Sequence, residues 1–211
     1  SFPINPIRVT NNNIDDAYPD ISGSNVVWMG SNGNDNEIYF WDGSFPINPI
    51  QITDNDTIDF SPVISDSNVA WSEWDGSDQE VHFWDGSFPI VTTVASASPG
   101  GFHAALSGSN LAWVDRAPSA PLGDRWSFDV FFSDGMTTTK VSETSPFLQL
   151  RNFQADVSGT HVVWSSCPYS FLPDYGQDIC NETAQIYMAT VSIPTPVPSM
   201  ALAGLAILSS L

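Results

Sequence analysis

The sequence predicts an all-β fold: a small β-propeller of about four four-stranded blades, then a Pro-rich linker and a C-terminal hydrophobic helix. Three observations predict it. Residues 1–43 and 44–86 align without a gap and share 24 of 43 positions. An anchor tryptophan then recurs, at Trp28, Trp71, Trp113 and Trp164, each after a Ser-rich turn and a short apolar run. Finally, 8 Trp, 13 Phe, 14 Gly and 16 Pro with only 14% charged residues describe many short strands joined by tight turns. A repeat of about 40–50 residues is the length of a propeller blade. The units fall at about 1–43, 44–86, 87–135 and 136–191, so residues 1–191 form the blade array.

Within unit one, Ser22–Asn25 supplies the polar, φ-permissive residues of a hairpin turn, leading into the apolar run Val26–Trp28. A polar loop, Gly30–Asn36, precedes a strand at Glu37–Trp41, and Asp42-Gly43 makes a second turn. Pro49–Thr53, with its counterpart Pro6–Thr10, reads as an outer strand. The chain thus starts on an outer strand and ends its last unit on Gln185–Val191. Pairing the first strand with the last blade would close a small ring and remove its exposed edges; the alternative is that the four units are part of a longer array. No single blade can bury both of its faces, so the units are expected to stack.

Pro19–Trp28 followed by Asn32–Tyr39 resembles the TolB-like, WD40-like propeller repeats of bacterial and archaeal surface proteins. The resemblance covers residues 1–191, is strongest in the first two units, and is interrupted by insertions at Asp115–Phe128 and Ser165–Ala184. It implies a propeller with a binding or structural role and names no ligand.

After Val191 the composition changes. Residues 192–198, with Pro194, Pro196 and Pro198, form a stiff extended linker. Residues 199–211 form an apolar tail carrying Met200, Leu202, Leu205, Ile207, Leu208 and Leu211, which is expected to associate with a membrane. Thirteen residues span about 20 Å as a helix, short of a hydrocarbon core about 30 Å thick. The layout resembles the PEP-CTERM tails of surface proteins handled by exosortase-type sorting, and that resemblance implies export in a bacterium. The chain opens at Ser1 without a leader, so an exported precursor implies one already removed.

The chain carries 24 acidic against 5 basic residues, a net charge of −19. Nucleic-acid binding, which needs Lys and Arg against phosphates, is excluded as an expectation. Cys167 and Cys180 lie close together in a loop-like stretch and fit a local disulfide in an oxidising compartment better than a metal site. The loops at Asn32–Glu37 and Asp75–Glu80 are rich in oxygen donors, which makes Asp35, Glu37, Asp78 and Glu80 candidate calcium ligands. No other cofactor is indicated. Asp15, Asp16, Asp54, Asp56 and Asp59 belong to units one and two only and are expected to form a one-sided acidic patch, for which a basic partner is as good a reading as a metal. His82, His103 and His161 occupy unequal places in the repeats, His82 replacing Tyr39. There is no Gly-x-Ser-x-Gly elbow, His-Glu-x-x-His motif or phosphate-cradling glycine loop.

These features favour a non-catalytic, exported propeller. It would be held at the periplasmic or extracellular face of a membrane by its tail, as a scaffold or accessory subunit with other protein subunits. Two alternatives stand beside it: a sorted surface or matrix protein binding polymer, glycan or calcium, and a propeller hydrolase or lyase.

Overall fold

The computed structural model describes residues 5–88, 92–96, 102–116, 128–142, 150–172, 177–180 and 183–193. The linker beyond residue 193 and the apolar tail lie outside them, as does most of the insertion after Arg116. All regular structure among the described residues is β-strand. Unit one is the antiparallel sheet β1 (Asp16–Ser22), β2 (Asn25–Ser31), β3 (Asn36–Trp41) and β4 (Ile50–Gln51). Unit two repeats it as β5 (Ile58–Ser65), β6 (Asn68–Trp74), β7 (Gln79–Trp84) and β8 (Thr92–Ser96). Unit three comprises β9 (Phe102–Ser107), β10 (Asn110–Arg116), β11 (Phe128–Ser133) and β12 (Thr138–Lys140). Unit four comprises β13 (Leu150–Ser158), β14 (His161–Leu172), β15 (Gln177–Cys180) and β16 (Gln185–Thr190). One parallel pairing, Phe128 with Arg151, ties the last two units into a single eight-stranded sheet.

The anchor tryptophans are all buried, and each stacks on the ring directly across the hairpin. The pairs are Trp28–Tyr39, Trp71–His82, Trp113–Phe131 and Trp164–Tyr187, with centroids 5.6–5.9 Å apart. Such a pair adds about 0.5–1.5 kcal/mol beyond the apolar area it covers. The tryptophan face of each later unit packs on the aliphatic face of the unit before it. Trp71 meets Val27, Ile38 and Phe40; Trp113 meets Ala70 and Val81; Trp164 meets Ala112, Val130 and Phe132. Strict alternation along β2 and β3 makes this two-faced packing available, because neighbouring residues point to opposite sides of the sheet.

A second repeated contact locks the turns. The Ser65 and Ser107 hydroxyls accept the amides of Gly108 and Gly159 in the next unit, at 2.7 and 2.9 Å, and Ser22 accepts that of Asp66 at 2.8 Å. The turn residue itself has φ of 57–61° at Gly23, Asp66, Gly108 and Gly159, the left-handed region that glycine enters without strain. The strands β1, β5, β9 and β13 lie side by side as the inner strands of the four units.

Three sequence expectations change. Residues 5–15 contain no strand, so Pro6–Thr10 does not complete unit four, and among the described residues β16 pairs with β14 alone. The outer strand expected at Pro49–Thr53 shrinks to Ile50–Gln51, because the Thr53 hydroxyl turns inward to Glu37 and receives the Ile38 amide. The insertion read as a loop around the cysteines is an extension of β14, paired with β15 through Tyr169–Cys180 to Leu172–Gln177. Cys167 is fully buried on β14 and disulfide-bonded.

The inter-unit hydroxyl is testable. Ser65→Ala should leave the part-buried Gly108 amide without its acceptor and cost about 1 kcal/mol. Thermal melting followed by circular dichroism should show a Tm lower by roughly 2–4 °C.

Candidate functional site

Three surfaces offer chemistry. The first is the aliphatic face of unit four, where Val163, Ile186 and Met188 are 36%, 75% and 67% exposed. The equivalent residues of unit one, Val27, Ile38 and Phe40, are buried against Trp71 of unit two. Unit four therefore presents the face that every other unit buries.

The second is a cavity of about 560 Å³ along the inner strands, lined by Tyr18, Pro19, Phe60, Ser61, Pro62, Val63, Ser72, Ala104 and Gln154–Asp156. Each inner strand shifts register once, between Ala17 and Asp20, Phe60 and Val63, and Phe153 and Asp156, and β10 shifts against β9 between Ala112 and Val114. Tyr18, Ser61 and Gln154 occupy the bulges with φ of 51–53°. The repeat places His103 at the same position of β9. A bulge re-aims a side chain, and Tyr18, Ser61 and Gln154 from three different units line this one cavity.

The third is the tryptophan face of unit two, which carries a chain of polar groups. Trp71 Nε1 donates to Asp59 Oδ1 at 2.7 Å, and Trp28 Nε1 donates to Asp16 Oδ1 at 3.0 Å. In unit three the residue twelve positions before the tryptophan is Gly101, and Trp113 Nε1 is buried without an acceptor. Across the hairpin Glu73 pairs with Glu80 and Trp71 with His82. His82 Nε2 lies 3.6 Å from Glu73 Oε2 and 3.3 Å from Glu80 Oε2. Asn55 Nδ2 holds Glu73 Oε2 at 3.3 Å, and the Asn55 amide reaches Glu37 Oε1 at 3.3 Å.

Burial sets the electrostatics of this face. Asp59 is fully buried, and its carboxyl is pushed up to about 7 by desolvation and by the negative charges of Glu73 and Glu37, against the pull of the Thr53 and Trp71 donors. Glu37 is raised for the same leading reason, although Thr53 and Asn55 hydrogen-bond it. At the exposed turns the opposite holds: hydrogen bonds from Ser44, Ser77, Ser87 and Thr137 hold Asp42, Asp75, Asp85 and Asp134 below the usual carboxylate range.

The structure redistributes the sequence candidates. Of the expected acidic patch, Asp15, Asp54 and Asp56 are exposed, Asp16 is half-buried, and Asp59 is buried as the acceptor of a tryptophan. Asp59 therefore belongs to the interior, because an indole N–H taken out of water needs an acceptor. The calcium set also divides. Glu37 is enclosed by Asn32 Nδ2 and Thr53 Oγ1, both at 2.7 Å, while Glu80 turns to His82. Glu73 and His82 were not singled out as ligands, although the repeat held the signal: they replace Gly30 and Tyr39 together. A Cβ at Gly30 would stand 3.0 Å from the Tyr39 ring, so the smaller imidazole goes with the larger residue at position 73. Among the described residues, no helix is long and apolar enough to cross a membrane.

The pH dependence of Asp59 follows from its sign. A carboxyl raised in the fold contributes stability that is complete below its unfolded value near 4 and is lost as pH rises through about 7. Asp59→Asn retains an acceptor for Trp71 and removes the titration. Its Tm, measured relative to the unaltered chain, should therefore rise steadily between pH 4 and pH 7. A constant difference between the two across that window would show that Asp59 is not the group responsible.

No family model matches the sequence, and no curated protein matches it. Among solved structures, the chain is similar to a prolyl endopeptidase at a TM-score of 0.51 and 12% identity, covering 78% of this chain and 29% of that one. TolB from Acinetobacter baumannii matches at 0.48 and 16%, covering 76% and 42%. A chain of a nidogen/laminin complex matches at 0.46 and 11%, covering 81% and 67%. The chain thus spans less than half the length of the TolB and endopeptidase chains. At these identities the likeness concerns the fold alone, an all-β, propeller-like array of small antiparallel sheets.

Proposed function

We propose that the chain is a non-catalytic blade array that acts as a protein-interaction scaffold, exported and held at the outer face of a membrane by residues 199–211. The single observation that carries the scaffold reading is the open face of unit four. Val163, Ile186 and Met188 form an apolar surface whose counterparts in the other units are the main inter-unit contacts. Apolar side chains gathered on one open sheet face mark a docking surface. The complementary shape is already present in the molecule: a blade offering a stacked tryptophan pair, as Trp71–His82 does to unit one. The partner we infer is therefore another protein built from the same kind of blade. The acidic surface and the Pro-rich linker are consistent with a domain held clear of anionic lipid on a stiff tether.

One observation favours a second reading. The inner-strand cavity presents Tyr18, Phe60, Gln154 and Asp156 together, a mixture of aromatic faces and polar groups that suits a polymer or glycan. Both readings treat the array as a binding module.

Native purification of the full chain in mild detergent tests the scaffold. The unaltered chain should co-purify with integral membrane proteins, and deletion of residues 193–211 should release it to the soluble fraction. Ile186→Asp combined with Met188→Asp should keep the membrane association and lose the partner. Recovery of the unaltered chain as a soluble monomer would sink the proposal.

A further inference from the structure

The polar face of unit two goes beyond a scaffold. We propose that Glu73, Glu80 and His82 form a binding site for one divalent transition-metal ion. They are the one group of three ligand-type side chains whose donor atoms all lie within 4.8 Å of one another among the described residues. His82 is 8% exposed, and its Nε2 atom is buried with no hydrogen-bond partner, although two carboxylate oxygens stand beside it. A buried ring nitrogen that makes no hydrogen bond while two carboxylate oxygens face it is placed to act as a ligand.

Geometry favours the ligand. Bonds of about 2.0–2.2 Å at tetrahedral angles put neighbouring donor atoms about 3.4 Å apart. The two distances at His82, 3.3 and 3.6 Å, bracket that value. The ligands are also pre-positioned: Asn55 holds Glu73, and stacking on Trp71 fixes the His82 ring.

The repeat supplies an internal comparison. The positions of Glu73 and Glu80 are taken in unit three by the paired Asp115 and Asp129, and there the Lys140 ammonium lies 2.8 Å from Asp129. In unit one they are Gly30 and Glu37, and in unit four Ser166 and Gln185, so neither unit sets two carboxylates opposite each other. Only unit two combines two facing carboxylates with an imidazole, and the described residues place no lysine or arginine on them. A cation is what that arrangement lacks. One nitrogen and two carboxylates suit zinc, manganese or cobalt, whereas calcium takes six to eight oxygens.

The test uses the full chain stripped with chelator, with Zn²⁺ as the probe in isothermal titration. The expected result is one ion per chain, unaffected by millimolar Ca²⁺. Glu73→Gly combined with His82→Tyr restores the unit-one arrangement and should weaken binding at least tenfold. Glu80→Gln, at the more exposed edge of the site, should weaken it in the same direction with unchanged near-UV circular dichroism. Long-range proton–nitrogen spectra of the unaltered chain need no variant: the His82 imidazole signals should move on adding Zn²⁺. Unmoved His82 signals, equal affinity in the unaltered and doubly substituted chains, or displacement by Ca²⁺ would each overturn the site.

Discussion

Everything in this molecule depends on the packing of a tryptophan face against the aliphatic face of the unit before it. A sheet of four short strands has two faces and too little material to bury either alone. Alternation along β2 and β3 assigns aromatics to one face and aliphatics to the other, so that each unit supplies what the next one needs. Trp71 on Val27, Ile38 and Phe40 is the clearest junction, and it is repeated at units three and four with smaller aliphatics. The turn hydroxyls of Ser22, Ser65 and Ser107 then fix one unit's turn against the next.

That constraint explains where chemical variety is tolerated. The tryptophan and the ring across from it must stay flat and stacked, and Tyr39, His82, Phe131 and Tyr187 all satisfy this. Groups at the edge of the stack change together from unit to unit, and in unit three the buried Trp113 Nε1 goes without an acceptor. Asp16 and Asp59 answer the indole in units one and two; Lys140 answers a carboxylate in unit three. Unit two sets a histidine beside its two facing carboxylates, so an unusual site arises at a structurally ordinary position.

The sequence displayed the repeat, the tryptophan anchors, the hairpin turns and the strands β2 and β3 plainly, because each rests on local chemistry. It displayed less well whatever depends on a neighbouring unit. Pro49–Thr53 looks extended throughout, yet Thr53 is drawn inward by Glu37, which no local pattern announces. Asp59 looks like one more surface acid in a chain of net charge −19, and only the twelve-residue spacing to Trp71, shared by Asp16 and Trp28, hinted at its burial. The Glu73–His82 pair was hidden because aligned repeats draw attention to what they share, and this site lies where they differ. The β14–β15 extension was masked by Pro168 and by a mixed polar and aromatic composition without clean alternation.

The same packing rule bears on the exposed face of unit four. A ring of four would bring the tryptophan face of unit one onto Val163, Ile186 and Met188 of unit four. Those three side chains are exposed instead, and Trp28 is nonetheless 5% exposed, so something else covers it. Arg8–Asn12 lies beside it, lining a cavity of about 390 Å³ with Trp28, Tyr39, Ile47 and Pro49. The segment expected to complete unit four as a strand thus lies beside the tryptophan face of unit one. Among the described residues, the aliphatic face of unit four meets no tryptophan face. Placing a partner there requires no rearrangement of the described core, since that face has the same residue pattern that the three internal junctions already use.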